Sequence, residues 1–406
     1  MPPGGIGQNP SSKSGRTAGR SICPRCSGHV IGSRHSRTPE EAMIESAKQP
    51  QTHHHETASG SAGCRARPRL LFLGNRFHFE NTGSHRFLAE CFAREFDVVT
   101  VPANRVWDRR IRRQRWHAAI SFQMLLPPEE YRALGIRRYL LVPMHDSAAK
   151  RVEAWRPYGD FTFLSFCDAL GDFLEQAGAA VWRTRYFPPP RPAPSAPGTP
   201  ASIFFWERIP QISWPFVREI ARASGIRRIH LHRVADPGFT PSPISPEDER
   251  AFDITTSQWF DDPAAADRIV SEHGVFIAPR IEEGIGMSFL KAMAMGRCVV
   301  AADRPTMNEY ITHGENGVLF EPGRPPRLDL EALPELGRRA HASIAAGHRT
   351  WSAFSTALPG RLAEIRPIPH RPDWRLACRG VIRARLATLR AAVRRCQNRP
   401  RRSLSH

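Results

Sequence analysis

Beyond residue 66, short apolar runs alternate with longer amphipathic stretches. Leu70-Leu71-Phe72-Leu73 ends in Gly74, the pattern of a strand buried on both faces that runs into a loop. Asn81-Thr82-Gly83-Ser84 follows, then Phe87, Leu88, Cys91 and Phe92 at helical spacing, then a second strand over residues 97–101. Further strands are predicted at 118–122, 139–143 and 161–166, with a helix over 169–176 that Gly178 terminates. After a break the rhythm resumes. Strands are predicted at 203–206, 229–232, 274–278, 298–302 and 318–320, and helices at 216–223, 287–295 and 306–312.

Alternating strands and helices imply α/β folding with parallel sheets. The break is Pro-rich across residues 188–200, which can continue neither helix nor sheet. The pattern therefore predicts two Rossmann-like, doubly wound domains of similar size facing across a cleft, 67–187 and 201–345, joined by a stiff linker. A helix over 346–369 is expected to return to the first domain. A ligand belongs at the carboxyl ends of the strands, in the cleft.

Composition changes the picture at the ends. The 406 residues carry a net charge of +19, and after His370 eleven arginines face the single acid Asp373. A basic tail over 370–406 is thus separate from the chemistry of the folded part. From Trp374, the residues Leu376, Val381, Ile382, Leu386, Leu389 and Val393 recur near helical spacing among arginines. Such a basic amphipathic helix suits an anionic membrane surface, or else a terminal helix packed on the protein. Residues 1–66 are rich in Gly, Ser, Arg, His and Pro and are expected to be disordered. Cys23-Pro-Arg-Cys26 with His29 and Cys64 makes one zinc half-site without a second, and His53-His54-His55 reads as low complexity, so no metal is expected. The cysteines form no regular framework, and there is neither a long apolar run nor a signal-peptide core, so a cytoplasmic location is expected. The Arg-rich ends lack a recognisable nucleic-acid module, so nucleic acid is not expected as a partner.

The densest chemistry lies in residues 278–303. A strand delivers the chain into Glu282-Glu283-Gly284-Ile285-Gly286, and a helix starts at Met287. The glycines let a ligand approach backbone N–H groups, and a helix N-terminus offers unpaired donors and partial positive charge to a diphosphate. Glu283 can accept from sugar hydroxyls. An ordinary turn with a solvated glutamate pair fits the same residues.

Residues 275–322 resemble the donor-binding block of group 1 (family four) glycosyltransferases, retaining enzymes of GT-B fold. The resemblance rests on Glu283-Gly284-Ile285-Gly286, Leu290-Lys291-Ala292-Met293-Ala294, Gly296-Arg297-Cys298-Val299-Val300-Ala301, Asn308-Glu309-Tyr310-Ile311 and Gly314-Glu315-Asn316-Gly317. It implies transfer of a sugar from a nucleotide-sugar donor to a glycan or lipid-linked acceptor, with no cofactor. Glu283 takes the place of the family's first glutamate, but the second, which holds the ribose, falls on Lys291. An ammonium donates where a carboxylate accepts, so a non-catalytic GT-B-like protein is the alternative.

The same resemblance places Arg208, Gly284, Ile285, Gly286, Met287, Lys291 and Glu309 at the donor. It makes His145, after the 139–143 strand, the cleft histidine, and Glu283 and His145 the catalytic residues. The residues alone favour a loop or capping histidine. Asn81 and Gly83 resemble the loop that faces donor and acceptor, and are equally plain turn formers. No Asp-x-Asp pair occurs. If the enzyme is peripheral, the inner membrane face is the expected site.

Overall fold

The computed structural model describes residues 67–191, 199–260 and 262–397. The expectations for residues 1–66, including Cys23, Cys26, His29, Cys64 and the His53–His55 run, lie outside them, as does most of the Pro-rich linker.

The first domain runs β1 (Arg69–Gly74), α1 (Arg86–Ala93), β2 (Asp97–Pro102), β3 (Ala118–Phe122), α2 (Pro128–Leu134), β4 (Tyr139–Val142), β5 (Thr162–Ser165), α3 (Asp168–Gln176) and β6 (Ala180–Arg183). Its six strands lie parallel in the order β2-β1-β3-β4-β5-β6. Leu70, Leu71, Phe72 and Leu73 are all fully buried, because alternate side chains enter cores on opposite faces of the sheet.

The second domain runs β7 (Thr199–Trp206), α4 (Trp214–Ser224), β8 (Arg228–His232), α5 (Pro246–Ala251), β9 (Asp253–Ser257), α6 (Pro263–Glu272), β10 (His273–Ile277), α7 (Met287–Ala294), β11 (Cys298–Ala302) and β12 (Val318–Phe320). This sheet is also parallel and six-stranded, in the order β12-β11-β10-β7-β8-β9.

Beyond β6, α2, α5 and α6, which the sequence pattern does not predict, three features depart from it. The helix expected over 306–312 is a single 3₁₀ turn, Met307–Glu309. The Asn316 side chain takes the Thr312 N–H at 2.7 Å and donates to the Tyr310 carbonyl at 3.0 Å, which uses up the groups a longer helix needs. The edge strand β9 gives no apolar signal, since Asp253-Ile-Thr-Thr-Ser is polar. Its side chains are instead occupied by histidines: Thr255 Oγ1 lies 2.8 Å from His230 Nδ1, and Ser257 Oγ lies 2.8 Å from His230 Nε2 and 2.9 Å from His232 Nδ1. The third departure is the boundary expected at 345/346, which falls inside one helix, α8 (Leu333–Arg361).

That helix joins the domains. At its start Gly337 lies against the second domain, where a Cβ would stand 2.3 Å from the Gly296 carbonyl oxygen. Further along, Trp351 packs against Phe87, Phe166 and Tyr186 of the first domain, with ring centroids 5.9, 5.9 and 5.3 Å away. One apolar core therefore runs through both domains. A last helix, α9 (Trp374–Gln397), packs Ala377, Val381 and Ala384 onto the outer core of the first domain, and its Arg383 reaches the buried Glu130 at 3.1 Å.

His230, His232 and His273 form a buried group around Phe204. Burial pushes His230 and His232 down to about 4 and lowers His273 as well. Between pH 6.5 and about 4 the unfolded chain thus binds protons that the folded chain refuses, and stability must fall as pH falls through that window. Thermal melts at pH 7.5 and pH 5 are expected to differ by about 5 °C or more, with the acid sample less stable. An equal or higher midpoint at pH 5 would show that the group is not held neutral.

Candidate functional site

The carboxyl end of β10 delivers Ala278-Pro-Arg-Ile-Glu-Glu-Gly-Ile-Gly into α7. Gly286 sits at the N-cap with φ of 80°, and no side chain caps the helix. A Cβ on Gly286 would lie 1.8 Å from the Phe289 ring, so only glycine can make the turn here. Ile285 is buried beneath the turn and Met287 is exposed at its rim. The first N–H groups of α7 are left for a ligand, with the helix dipole behind them.

The first domain meets this turn directly. A Cβ on Gly284 would fall 2.8 Å from Met144 Cβ and 3.1 Å from Asp146 Oδ1, both in the turn that follows β4. Between them sits His145, 3% exposed, with Nδ1 buried and unpartnered. Burial, helped by the nearby Lys150 charge, pushes His145 down to about 4, so it is neutral at physiological pH. Lys150 also pairs with Glu282 across the cleft. The structure thus brings His145 and the glutamate–glycine turn together.

Glu283 is largely buried, and burial pushes its carboxyl up to about 7. Asp146 and Asp236 push the same way, while Arg280 and Arg208 oppose. Near neutrality the group is therefore divided between a form that only accepts hydrogen bonds and one that also donates. Its backbone carbonyl accepts from the Thr306 hydroxyl, which fixes the turn.

Two arginines stand beside it. Arg208 follows β7, lies over the Trp206 ring at 4.4 Å, and donates to Asp236 Oδ1 from Nε at 2.9 Å and from Nη2 at 2.6 Å. Arg280 donates to the other oxygen of Asp236 and lies 3.7 Å from Asp146, while its Nε is buried without a partner. The sequence pattern assigns no role to Arg280, Asp236 or Asp146. Arg280 stands only three residues before Glu283, which is the one signal that pointed to it; the two acids have none.

Other expected residues lie differently. Lys291 pairs with Asp267 of α6 at 2.5 Å, and Arg191 of the linker reaches the same carboxylate at 2.6 Å. Lys291 is therefore tied to a neighbouring helix. Glu309 is turned to the first domain, where its carboxylate accepts from the Asp168 N–H at 2.9 and 2.8 Å and from the Ala169 N–H at 3.3 Å. These are the free donors at the start of α3, which has no cap of its own. A cap supplied from another domain cannot be read from local sequence. Asn81 lies in the wide turn His78–Thr82 after β1, and Gly83 closes that turn with φ of 60°. Burial, helped by His85 and opposed by Asp146, lowers the His78 imidazole of the same turn.

Residues 229–333 match the family model described as glycosyl transferases group 1. Among solved structures, sucrose-phosphate synthase from Thermosynechococcus elongatus shares the fold with a TM-score of 0.52 at 12% identity, over 73% of this chain and 98% of that one. HepE from Anabaena, solved with UDP and glucose, aligns at TM-score 0.48 and 13% identity over 72% of this chain and 100% of that one. TarM aligns at TM-score 0.43 and 14% identity over 59% of this chain, and the chain spans about half of its length, 53%. No curated protein sequence matches the chain. The family match and the fold together support a glycosyltransferase of GT-B fold.

The Glu309 cap gives a test of how the domains are held. Glu309→Ala is expected to cost about 1–2 kcal/mol, the scale of a lost helix cap, and to hasten proteolysis between the domains. Glu309→Gln, which keeps an acceptor, should fall between. A melting midpoint and proteolysis rate unchanged in both variants would show that the cap holds nothing.

Proposed function

We propose that the protein transfers a sugar from a nucleotide-sugar donor to a glycan or lipid-linked acceptor, with retention at the anomeric carbon and without metal or cofactor. The observation that carries this reading is the uncapped start of α7 with Arg208 and Arg280 beside it. That arrangement suits a diphosphate. Its oxygens would take the free N–H groups, and the arginines would turn from Asp236 to stabilise the charge that grows on the leaving group. Glu283 would hold the hydroxyls of the donor sugar, with the neutral His145 facing it across the cleft.

Isothermal calorimetry with UDP-, GDP-, ADP- and dTDP-sugars tests the donor. Micromolar to millimolar binding to at least one is expected, and silence across the panel at millimolar concentration would sink the reading. Glu283→Ala should lower turnover by about a hundredfold or more. Glu283→Gln should remove the pH dependence near pH 7 that the titrating carboxyl imposes on the native enzyme. A native profile flat from pH 6 to 8 would argue against Glu283 as the sugar-binding group.

One observation favours a non-catalytic binding protein instead: Lys291 pairs with Asp267 where the resemblance calls for a carboxylate to hold ribose. A single Lys291→Glu change would leave two acids together, so the fair comparison is Lys291→Glu with Asp267→Asn. Turnover that appears only in the double variant would establish the non-catalytic reading; robust native turnover would end it.

A peripheral, cytoplasmic-face location is part of the proposal. Among the described residues no helix is long and apolar enough to cross a membrane. On α9, however, Trp374, Ile382 and Leu386 are 70, 58 and 47% exposed, and Cys378 is exposed between them. At four-residue spacing these form one outward stripe, flanked by Arg375, Arg379 and Arg385. Cosedimentation should be stronger with phosphatidylglycerol vesicles than with phosphatidylcholine vesicles, and should fall about tenfold in Trp374→Ala/Ile382→Ser. Equal binding to both lipids would reject the surface.

A further inference from the structure

Beside the His145 turn the first domain contains a cavity of about 270 Å³ at the carboxyl ends of β3 and β4. It does not include the donor turn. Its walls are polar and apolar in about equal measure, with Leu125, Pro143, Met144 and Trp155 on the apolar side, and none of the lining side chains is charged. The aromatic groups have already spent their polar ends: Trp155 Nε1 donates to the Ala149 carbonyl at 2.8 Å and the Tyr158 hydroxyl donates to the Leu126 carbonyl at 3.0 Å.

Gln123 stands apart from these. It is the first residue after β3 and the one non-glycine residue with positive φ, at 62°, among the described residues. Its side-chain Oε1 is buried with no hydrogen-bond partner. A left-handed backbone and an unsatisfied buried carbonyl both cost free energy, and a ligand that donates to Oε1 would recover part of it. A hydroxyl is the fitting donor, since it serves an amide in either orientation.

Met144 links the cavity to the rest of the cleft. It lines the cavity, and its sulfur stands 3.1 Å from the Cβ position on Gly284. One side chain thus separates this space from the turn assigned to the donor.

We propose that this cavity is the subsite for a neutral, hydroxyl-bearing glycosyl unit of the acceptor, and that Gln123 selects it by accepting a hydroxyl hydrogen bond. The uncharged walls disfavour phosphate or carboxylate at this position, because a buried anion would find no counter-charge there. The assignment of the unit as acceptor rests on the glycosyltransferase reading; the binding of a neutral sugar does not.

Saturation-transfer NMR on the full chain, with methyl glycosides of glucose, galactose, mannose and N-acetylglucosamine, tests the subsite directly. At least one glycoside should bind, and the matching sugar 6-phosphates should bind more weakly. Gln123→Met should weaken the glycoside about fivefold, the scale of one hydrogen bond. Ala148→Trp, which fills the space from its rim, should abolish the signal, with melting midpoints checking that both variants fold. In turnover assays Gln123→Met should raise the acceptor KM more than it lowers kcat. Glycoside binding that is absent, or indifferent to both variants, or matched by the 6-phosphates, overturns the proposal. Glycoside binding that responds to the variants, in a protein that binds no nucleotide sugar, keeps the sugar subsite and overturns its assignment to an acceptor.

Discussion

The two domains touch where there is no room for a side chain. Gly284 lies against Met144 and Asp146 so closely that any Cβ would displace them, and the candidate chemistry gathers around that contact. A close approach of this kind is useful only if it is reproducible, since an ångström of drift would separate His145 from the glutamate–glycine turn. The chain fixes it from three directions. Trp351 of α8 anchors in the aromatic core of the first domain, the Tyr186 N–H donates to the Tyr310 hydroxyl at 3.1 Å, and Glu309 caps α3. Apolar burial supplies most of the holding energy, and the two polar contacts set the angle.

The same contact explains the electrostatics. The contact gathers Glu283, two arginines and two aspartates, most of them half-buried, around one small volume, where pairing offsets part of the cost of lost solvent. Asp236 accepts from both Arg208 and Arg280, and Asp146 from the opposite domain lies near Arg280. Burial pushes the Glu283 carboxyl up to about 7, against the opposing pull of Arg280 and Arg208. An arriving polyanion would compete with Asp236 for the arginines. The resting pairs therefore hold the guanidinium groups in place without satisfying every donor, as the unpartnered Nε of Arg280 shows.

Much of this architecture was legible in the sequence because parallel strands announce themselves. β1, β3, β10 and β11 are apolar on both faces, and the Pro-rich break separates the two sheets. β9 was not legible, since its stabilising partners are the His230 and His232 side chains on a neighbouring strand rather than apolar burial. The glycine turn could be read because backbone freedom has a residue signature. The roles of Asp236 and Asp146 could not, since an acid that steadies a distant arginine looks like any other acid. Lys291 could be read only as a departure. Its meaning came from Asp267 and Arg191, which lie far from it along the chain.

The position of Lys291 bears on how such a site tolerates change. A carboxylate there would stand beside Asp267, and both would compete for Arg191. With lysine, α6, α7 and the linker are tied through one carboxylate that two cations share. The substitution therefore exchanges an acceptor on the ligand side for a tie between three pieces of backbone. On the proposed reading such a site would keep its diphosphate seat, because the N-terminus of α7, Arg208 and Arg280 do not depend on residue 291. What it would give up is grip on the ribose, which lies beyond the diphosphate from the bond that breaks. Loss of grip there weakens binding in ground state and transition state alike, so it raises KM more than it slows the chemical step.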